Sequence, residues 1–166
     1  MPRKLLEHII YRSIMIHLNS FDILVDAQHG FRAGRSCETW LINTIEPLAR
    51  SVNNRNQTDL LILDFSKAVD KVAHKRLLLK LEYYGIRGLV LAWIKAWLIR
   101  RTQQVALEGE FSEKSWVISG VPQGTVLGPL RFLLFVNDIG NDWLPQILSY
   151  LLMTPCCMVW YRIPMM

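Results

Sequence analysis

Between a polar turn at Asn53–Thr58 and a lysine-bearing stretch lies Asp-Leu-Leu-Ile-Leu-Asp-Phe, residues 59–65. The run is too short for a core helix and has no polar alternation. It therefore reads as a buried strand that must be covered on both faces. The single acid at its far end, Asp64, after the apolar residues, is costly there unless it is paired or holds a metal ion. Strand ends are also where mixed α and β enzymes place reactive groups. Taken singly, Asp64 fits equally an N-cap for the next helix or an ion pair with a neighbouring lysine.

Helical periodicity surrounds this strand. Leu5, Leu6, Ile9, Ile10, Ile14, Ile16 and Leu18 predict an amphipathic helix ending near Asn19. Ser20–Arg35 reads as a loop broken by Gly30 and Gly34. Ser36 is placed to N-cap a helix to about Val52, with Glu38 in its first turn. Further helices are expected at His74–Tyr84, stopped by Gly85, at Leu89–Ile99, and at Leu130–Asn137. Thr102–Leu107 and Ser115–Ser119 read as a hairpin around Gly109. The class is α+β.

With 51% hydrophobic residues, the chain can build a core. A formal net charge of +5 over 166 residues is mild and raises the case for a polyanionic partner only slightly. The 3 cysteines, Cys37, Cys156 and Cys157, have neither metal-ligand spacing nor a disulfide pattern. An intracellular site, cytoplasm or nucleus, is expected, and secretion is not. Met-Pro-Arg-Lys leads into an amphipathic stretch rather than a signal sequence. Trp143–Tyr161 is apolar, but Pro145, Gln146, Ser149 and Pro155 argue against a membrane span. After Asp142 the composition changes: residues 143–166 contain no acid, four of the six methionines and two of the three cysteines. Residues 1–142 and 143–166 are therefore set apart.

Two more segments could carry chemistry. In Ser119-Gly120-Val121-Pro122-Gln123-Gly124, the glycines allow close approach of the backbone to a ligand, and Gln123 can donate and accept. In Gln28–Ser36, Arg32 and Arg35 precede a helix start and could clamp phosphates. Each alone is also compatible with an ordinary loop.

Together, and in this order, Gln28–Ser36, Leu63-Asp64-Phe65-Ser66-Lys67-Ala68 and Ser119–Leu130 resemble the reverse transcriptases of non-LTR, LINE-type retrotransposons. Lys75–Leu81, Tyr84-Gly85-Ile86, Arg101–Val105 and Phe135–Ile139 resemble them too, so the likeness covers roughly residues 4–142. The resemblance implies an incomplete right-hand polymerase fragment of fingers and palm, followed by a non-homologous C-terminal tail. It implies RNA template, DNA primer and deoxynucleoside triphosphates as partners, no membrane, and two Mg²⁺ ions in an in-line phosphoryl transfer. Oligomeric state is left open. Asp64 aligns with the first metal-binding carboxylate, helped by the backbone carbonyl of Phe65. Arg32, Arg35, Val69, Gly120, Pro122, Gln123 and Gly124 align with positions that contact the nucleotide or template.

The sequence departs from the family in four ways. Val69 stands where an aromatic ring usually excludes a ribose 2′-hydroxyl, and Ala73 where proline is usual. Against the family's length, the upstream fingers and the thumb are expected to lie outside this sequence. The family's Ala-Asp-Asp hairpin is missing as well: no Asp-Asp pair occurs in the chain, and Leu151-Leu152-Met153-Thr154 occupies its place. One coding of that peptide, TTG CTG ATG ACN, read two bases later gives Ala-Asp-Asp. A frameshift between about Asp142 and Leu148 is therefore expected, with 143–166 as its out-of-frame product. The expectation is an inactive polymerase fragment. The alternatives are a residual nucleic-acid-binding module, using Arg32, Arg35, Arg100 and Arg101, or a non-functional remnant.

Overall fold

The structure is a computed structural model that describes residues 2–56, 58–64, 66–139, 148–152 and 157–164. In chain order the elements are α1 (Pro2–Ser20), α2 (Cys37–Asn53), β1 (Thr58–Asp64), α3 (His74–Tyr83), α4 (Gly88–Leu98), β2 (Thr102–Gln103), β3 (Ala106–Leu107), β4 (Glu110–Phe111), β5 (Ser115–Trp116), α5 (Leu127–Val136), β6 (Leu148–Leu152) and β7 (Cys157–Pro164). They fall into two units, Met1–Phe21 with Val69–Phe135, and Asp22–Ala68 with Val136–Met166.

In the first unit, α1, α3, α4 and α5 supply the core. Ile14, Leu18, Leu77, Leu81, Ile94, Leu98, Leu127, Leu133 and Leu134 are all buried. Each such side chain contributes roughly 1.5–3 kcal/mol. The apolar pattern of α1 is wider than its buried stripe. Leu5, Leu6, Ile9 and Ile16 are exposed, and the residues turned inward are Glu7, Ile14 and Leu18, with Tyr11 half-buried between them. That 4-3-4 spacing is one helical face. Glu7 belongs to it because its Oε2 accepts the backbone N–H of Val126 at 2.9 Å. His17 Nε2 meets the Tyr84 carbonyl at 2.8 Å, tying α1 to the end of α3. There Gly85, at φ +81°, closes a Schellman cap: Ile86 N–H donates to Leu81 O and Gly85 N–H to Glu82 O.

The expected hairpin divides into two short ladders, β2 with β5 and β3 with β4. At Val105 the pairing is carried by Ser112, whose Oγ accepts the Val105 N–H while its own N–H donates to Val105 O, both at 2.9 Å. Glu108 and Gly109 both have positive φ (51° and 91°), which suits the two-residue turn between β3 and β4.

The second unit holds a three-stranded antiparallel sheet of order β1-β7-β6, with α2 against β1 and β6. Residues 148–152 and 157–164, within the segment set apart on composition, thus pair through β7 with the whole of β1. Ser36 caps α2 as expected, in a capping box with Thr39. The loop before it is pinned from α5's end of the chain: Asn137 Oδ1 accepts the Val25 N–H at 3.0 Å, and its Nδ2 donates to Ile23 O at 2.8 Å.

Candidate functional site

In the first unit the Ser119–Gly124 loop is strapped to the segment Val69–His74. Gly120 N–H donates to Val72 O (2.8 Å) and Val121 N–H to Val69 O (3.1 Å). Ser119 Oγ donates to Asp70 O (2.9 Å), and His74 Nε2 meets Gly120 O (2.7 Å). Gly120 has φ +87°, and a Cβ there would come within 3.0 Å of the Asp70 carbonyl oxygen. Only glycine suits both demands. Beyond it, Thr125 Oγ1 donates to Pro122 O and accepts the Gly128 N–H (2.8 and 3.1 Å), which closes the loop onto the start of α5. Val69 and Val121 are buried, whereas Gln123 and Gly124 are exposed.

Of the residues singled out in sequence, Val69, Gly120, Pro122, Gln123 and Gly124 are thus brought together. Beside them a cavity of about 550 Å³ is lined by Asp70, His74, Arg101, Gln103, Trp116 and the loop. The Arg101 guanidinium lies 5.3 Å from the Trp97 ring centroid, and that of Arg131 only 3.6 Å. Arg131 is 1% exposed, and none of its guanidinium nitrogens has a hydrogen-bond partner among the described residues. Burial pulls its pKa down to about 9, against the opposing pull of the Glu7 carboxylate.

In the second unit, Arg32 and Arg35 converge on Asp26, at 3.6 and 2.5 Å. Arg32 Nη1 also donates to Val25 O (2.7 Å), and Arg35 Nη1 to Asp26 O. The Asp26 side chain is 89% exposed, so these pairs are weak and screened by salt. His29, which the sequence reading passed over, is buried beneath them. Thr39 Oγ1 already donates to Ser36 O, so His29 Nδ1 donates to Thr39 Oγ1 (3.3 Å) and Nε2 accepts from Asn43 Nδ2 (3.5 Å). That is a neutral imidazole, in accord with the lowering of its pKa by burial and then by Arg35 and Arg32.

Asp64 is the last residue of β1 and lies opposite Met158 in the register. Phe65, whose carbonyl was expected to help bind metal, lies outside the described residues. No group of three His, Cys, Asp or Glu side chains that could hold a metal ion occurs among the described residues. Mg²⁺ wants several hard oxygen ligands. With one carboxylate at the strand end and no Asp-Asp pair in the chain, the donor set does not fit the two ions the resemblance implies. No helix among the described residues is long and apolar enough to cross a membrane.

Helices joined to small antiparallel sheets, with a glycine-proline loop strapped to the segment before α3, make an α+β chain. The family model for reverse transcriptase (RNA-dependent DNA polymerase) matches residues 4–161, and the chain belongs to that family. It is similar to a probable RNA-directed DNA polymerase from transposon X-element of Drosophila melanogaster, with 30% identity over 142 residues, covering 82% of this chain and 15% of the relative. It is also similar to the RNA-directed DNA polymerases from mobile element jockey of Drosophila melanogaster and Drosophila funebris. These are 28% and 27% identical over 136 and 139 residues, covering 82% and 84% of this chain and 15% of each relative. The chain spans about 15% of the length of these relatives. The family match continues past Asp142 into the segment that the composition had set apart.

Proposed function

We propose that the chain is a fingers-and-palm segment of an RNA-directed DNA polymerase from a LINE-type element and that, as it stands, it does not polymerise. The observation that carries this reading is a family match over residues 4–161 in a chain whose strand-end Asp64 has no Asp-Asp partner. Asp64 is the surviving metal ligand. Val69, Gly120, Pro122, Gln123 and Gly124 form the surface for nucleotide and template, and Arg32 and Arg35 form the fingers contact to the triphosphate. Residues 143–166 are the out-of-frame continuation. Two measurements test the reading. Primer extension on an RNA template with Mg²⁺ is expected to give no product, and robust synthesis overturns inactivity. The DNA across codons 140–160 is expected to encode Ala-Asp-Asp in the displaced frame, and its absence overturns the frameshift.

A second reading, nucleic-acid binding retained without catalysis, is supported by the cavity that joins Arg101 and Trp116 to the loop. Guanidinium for phosphate and indole for base stacking are the usual elements of single-strand binding. Affinity for an RNA–DNA hybrid should then fall steeply with salt. No retention on a filter at low salt excludes it.

A further inference from the structure

His74 enters the sequence only as the first residue of α3, directly after Ala73, whose position at the N-cap supplies no side-chain cap. In the structure it does something a helix start does not require. A carbonyl oxygen can only accept, so the 2.7 Å contact with Gly120 O fixes the hydrogen on His74 Nε2. The peptide unit between Gly120 and Val121 is then held at both ends, its oxygen by the imidazole and its N–H by Val69 O. The preceding unit is held through Gly120 N–H to Val72 O. Gly120 sits at φ +87°, a conformation from which a glycine rotates easily when its peptide is not anchored. The next residue but one is Pro122, with fixed φ and no N–H, so the orientation set at residues 120–121 passes with little slack to Gln123. Three of the four straps end on main-chain atoms of 69–72. Only the fourth depends on a side chain of that segment.

We propose that His74 is a positioning residue: by fixing the Gly120–Val121 peptide it aims the exposed Gln123 and Gly124 at the nucleic acid. The nature of that ligand rests on the polymerase reading, whereas the strap does not.

Amide hydrogen exchange on the full chain tests the strap, comparing wild type, His74→Ala and His74→Gln. The Gln side-chain amide can donate from about the place of Nε2. In His74→Ala the amides of Gly120 and Val121, which donate to Val72 O and Val69 O, are expected to exchange about tenfold faster, with those of α3 and α5 within about twofold of wild type. His74→Gln should return the loop to within about threefold of wild type. Unchanged loop exchange in His74→Ala overturns the proposal. So does equal acceleration of the loop, α3 and α5, which would make His74 a general support of the fold. Should His74→Ala not fold, His74→Gln still decides: near-wild-type loop exchange upholds the donor role, and a loop as labile as the unfolded chain refutes it. In parallel, filter binding of an RNA–DNA hybrid should weaken about tenfold in His74→Ala and recover in His74→Gln. A hybrid that binds equally to all three overturns the aiming of Gln123. A wild-type chain that binds no hybrid, with the exchange pattern intact, sinks the polymerase-side reading of the loop and upholds the strap.

Discussion

At the scale of single residues, the buried charge of Arg131 dominates. A guanidinium with no hydrogen-bond partner among the described residues, 1% exposed, is compensated chiefly by the Trp97 ring 3.6 Å away. A cation over an indole offsets roughly 2 kcal/mol when desolvated, and a lost hydrogen-bonded environment for a charge costs more. Arg131→Met keeps the stem and removes the charge, so it is expected to raise stability by about 1–3 kcal/mol in urea unfolding. A loss of stability would show that the ring contact outweighs desolvation. The pH dependence has a definite sign. The folded-state pKa is near 9, well below that of an exposed arginine, so above about pH 9 the unfolded chain binds more protons and stability rises with pH. Arg131→Met should abolish that rise. His29 acts in the acid range. Its folded pKa lies below 6.5, so its contribution is complete above pH 6.5 and is lost as pH falls through the lowered value. His29→Gln should flatten the decline in urea midpoint on acidification, and an unchanged decline would assign it to other groups. Val69, buried under the loop strap, carries a chemical forecast. In a frame-restored polymerase Val69→Phe should sharpen discrimination against ribonucleotides, and equal selectivity of the two refutes the role given to that position.

Among the elements, ends and turns carry the clearest energetics. α2 finishes in a Schellman cap, with Asn56 N–H to Ser51 O and Arg55 N–H to Val52 O, but the C′ residue is Arg55 at φ +57° rather than glycine. Arg55→Gly should therefore stabilise by about 1 kcal/mol, read as a higher urea midpoint. A drop would mean that the arginine side chain earns more than its backbone costs. Gly120 and Gly124 separate two effects. Both have positive φ, but a Cβ at 124 meets open space and at 120 the Asp70 main chain. Gly124→Ala should cost about 1 kcal/mol and Gly120→Ala clearly more, with equal costs counting against the strap. Helix positions were legible because caps and breakers such as Ser36 and Gly85 act locally, and observed ends lie close to the expected ones. The length of α5 was not, since it begins at Leu127 rather than Leu130: the Thr125 cap on Gly128 is local, but the Glu7 contact that holds the Val126 N–H spans 119 residues. The 120–124 loop was legible as a motif, but its dependence on His74 was not. A hydrogen bond across 46 residues leaves no local periodicity. Asn137, buried and holding Ile23 and Val25, was hidden in the same way.

For the whole molecule, the informative feature is where β6 and β7 lie. In the register Asp64 is opposite Met158, and Leu152 is opposite Cys157. The last residue of β6 and the first of β7 therefore lie at Asp64's end of the sheet. Under the proposed frameshift, displaced-frame decoding would put Ala-Asp-Asp at about Leu152–Thr154, starting at the last residue of β6. If residues 143–166 are out of frame, as proposed, their Ile, Leu, Tyr and Trp still suit strands. Such a composition after Asp142 accords with the pairing of β7 along β1. It also gives residues 143–166 a measurable duty, since β7 is the only strand paired with β1 among the described residues. Deleting 143–166 should leave β1 without a partner and promote association through its open edges, seen as concentration-dependent light scattering. A monomeric 1–142 chain of unchanged Tm would refute the pairing. Restoring the displaced frame within a full-length element polymerase is the stronger trial. Mg²⁺-dependent primer extension should appear, and Asp64→Asn should abolish it by 10³-fold or more, on the order of 4 kcal/mol of transition-state stabilisation. Extension that survives Asp64→Asn would remove Asp64 from the metal site.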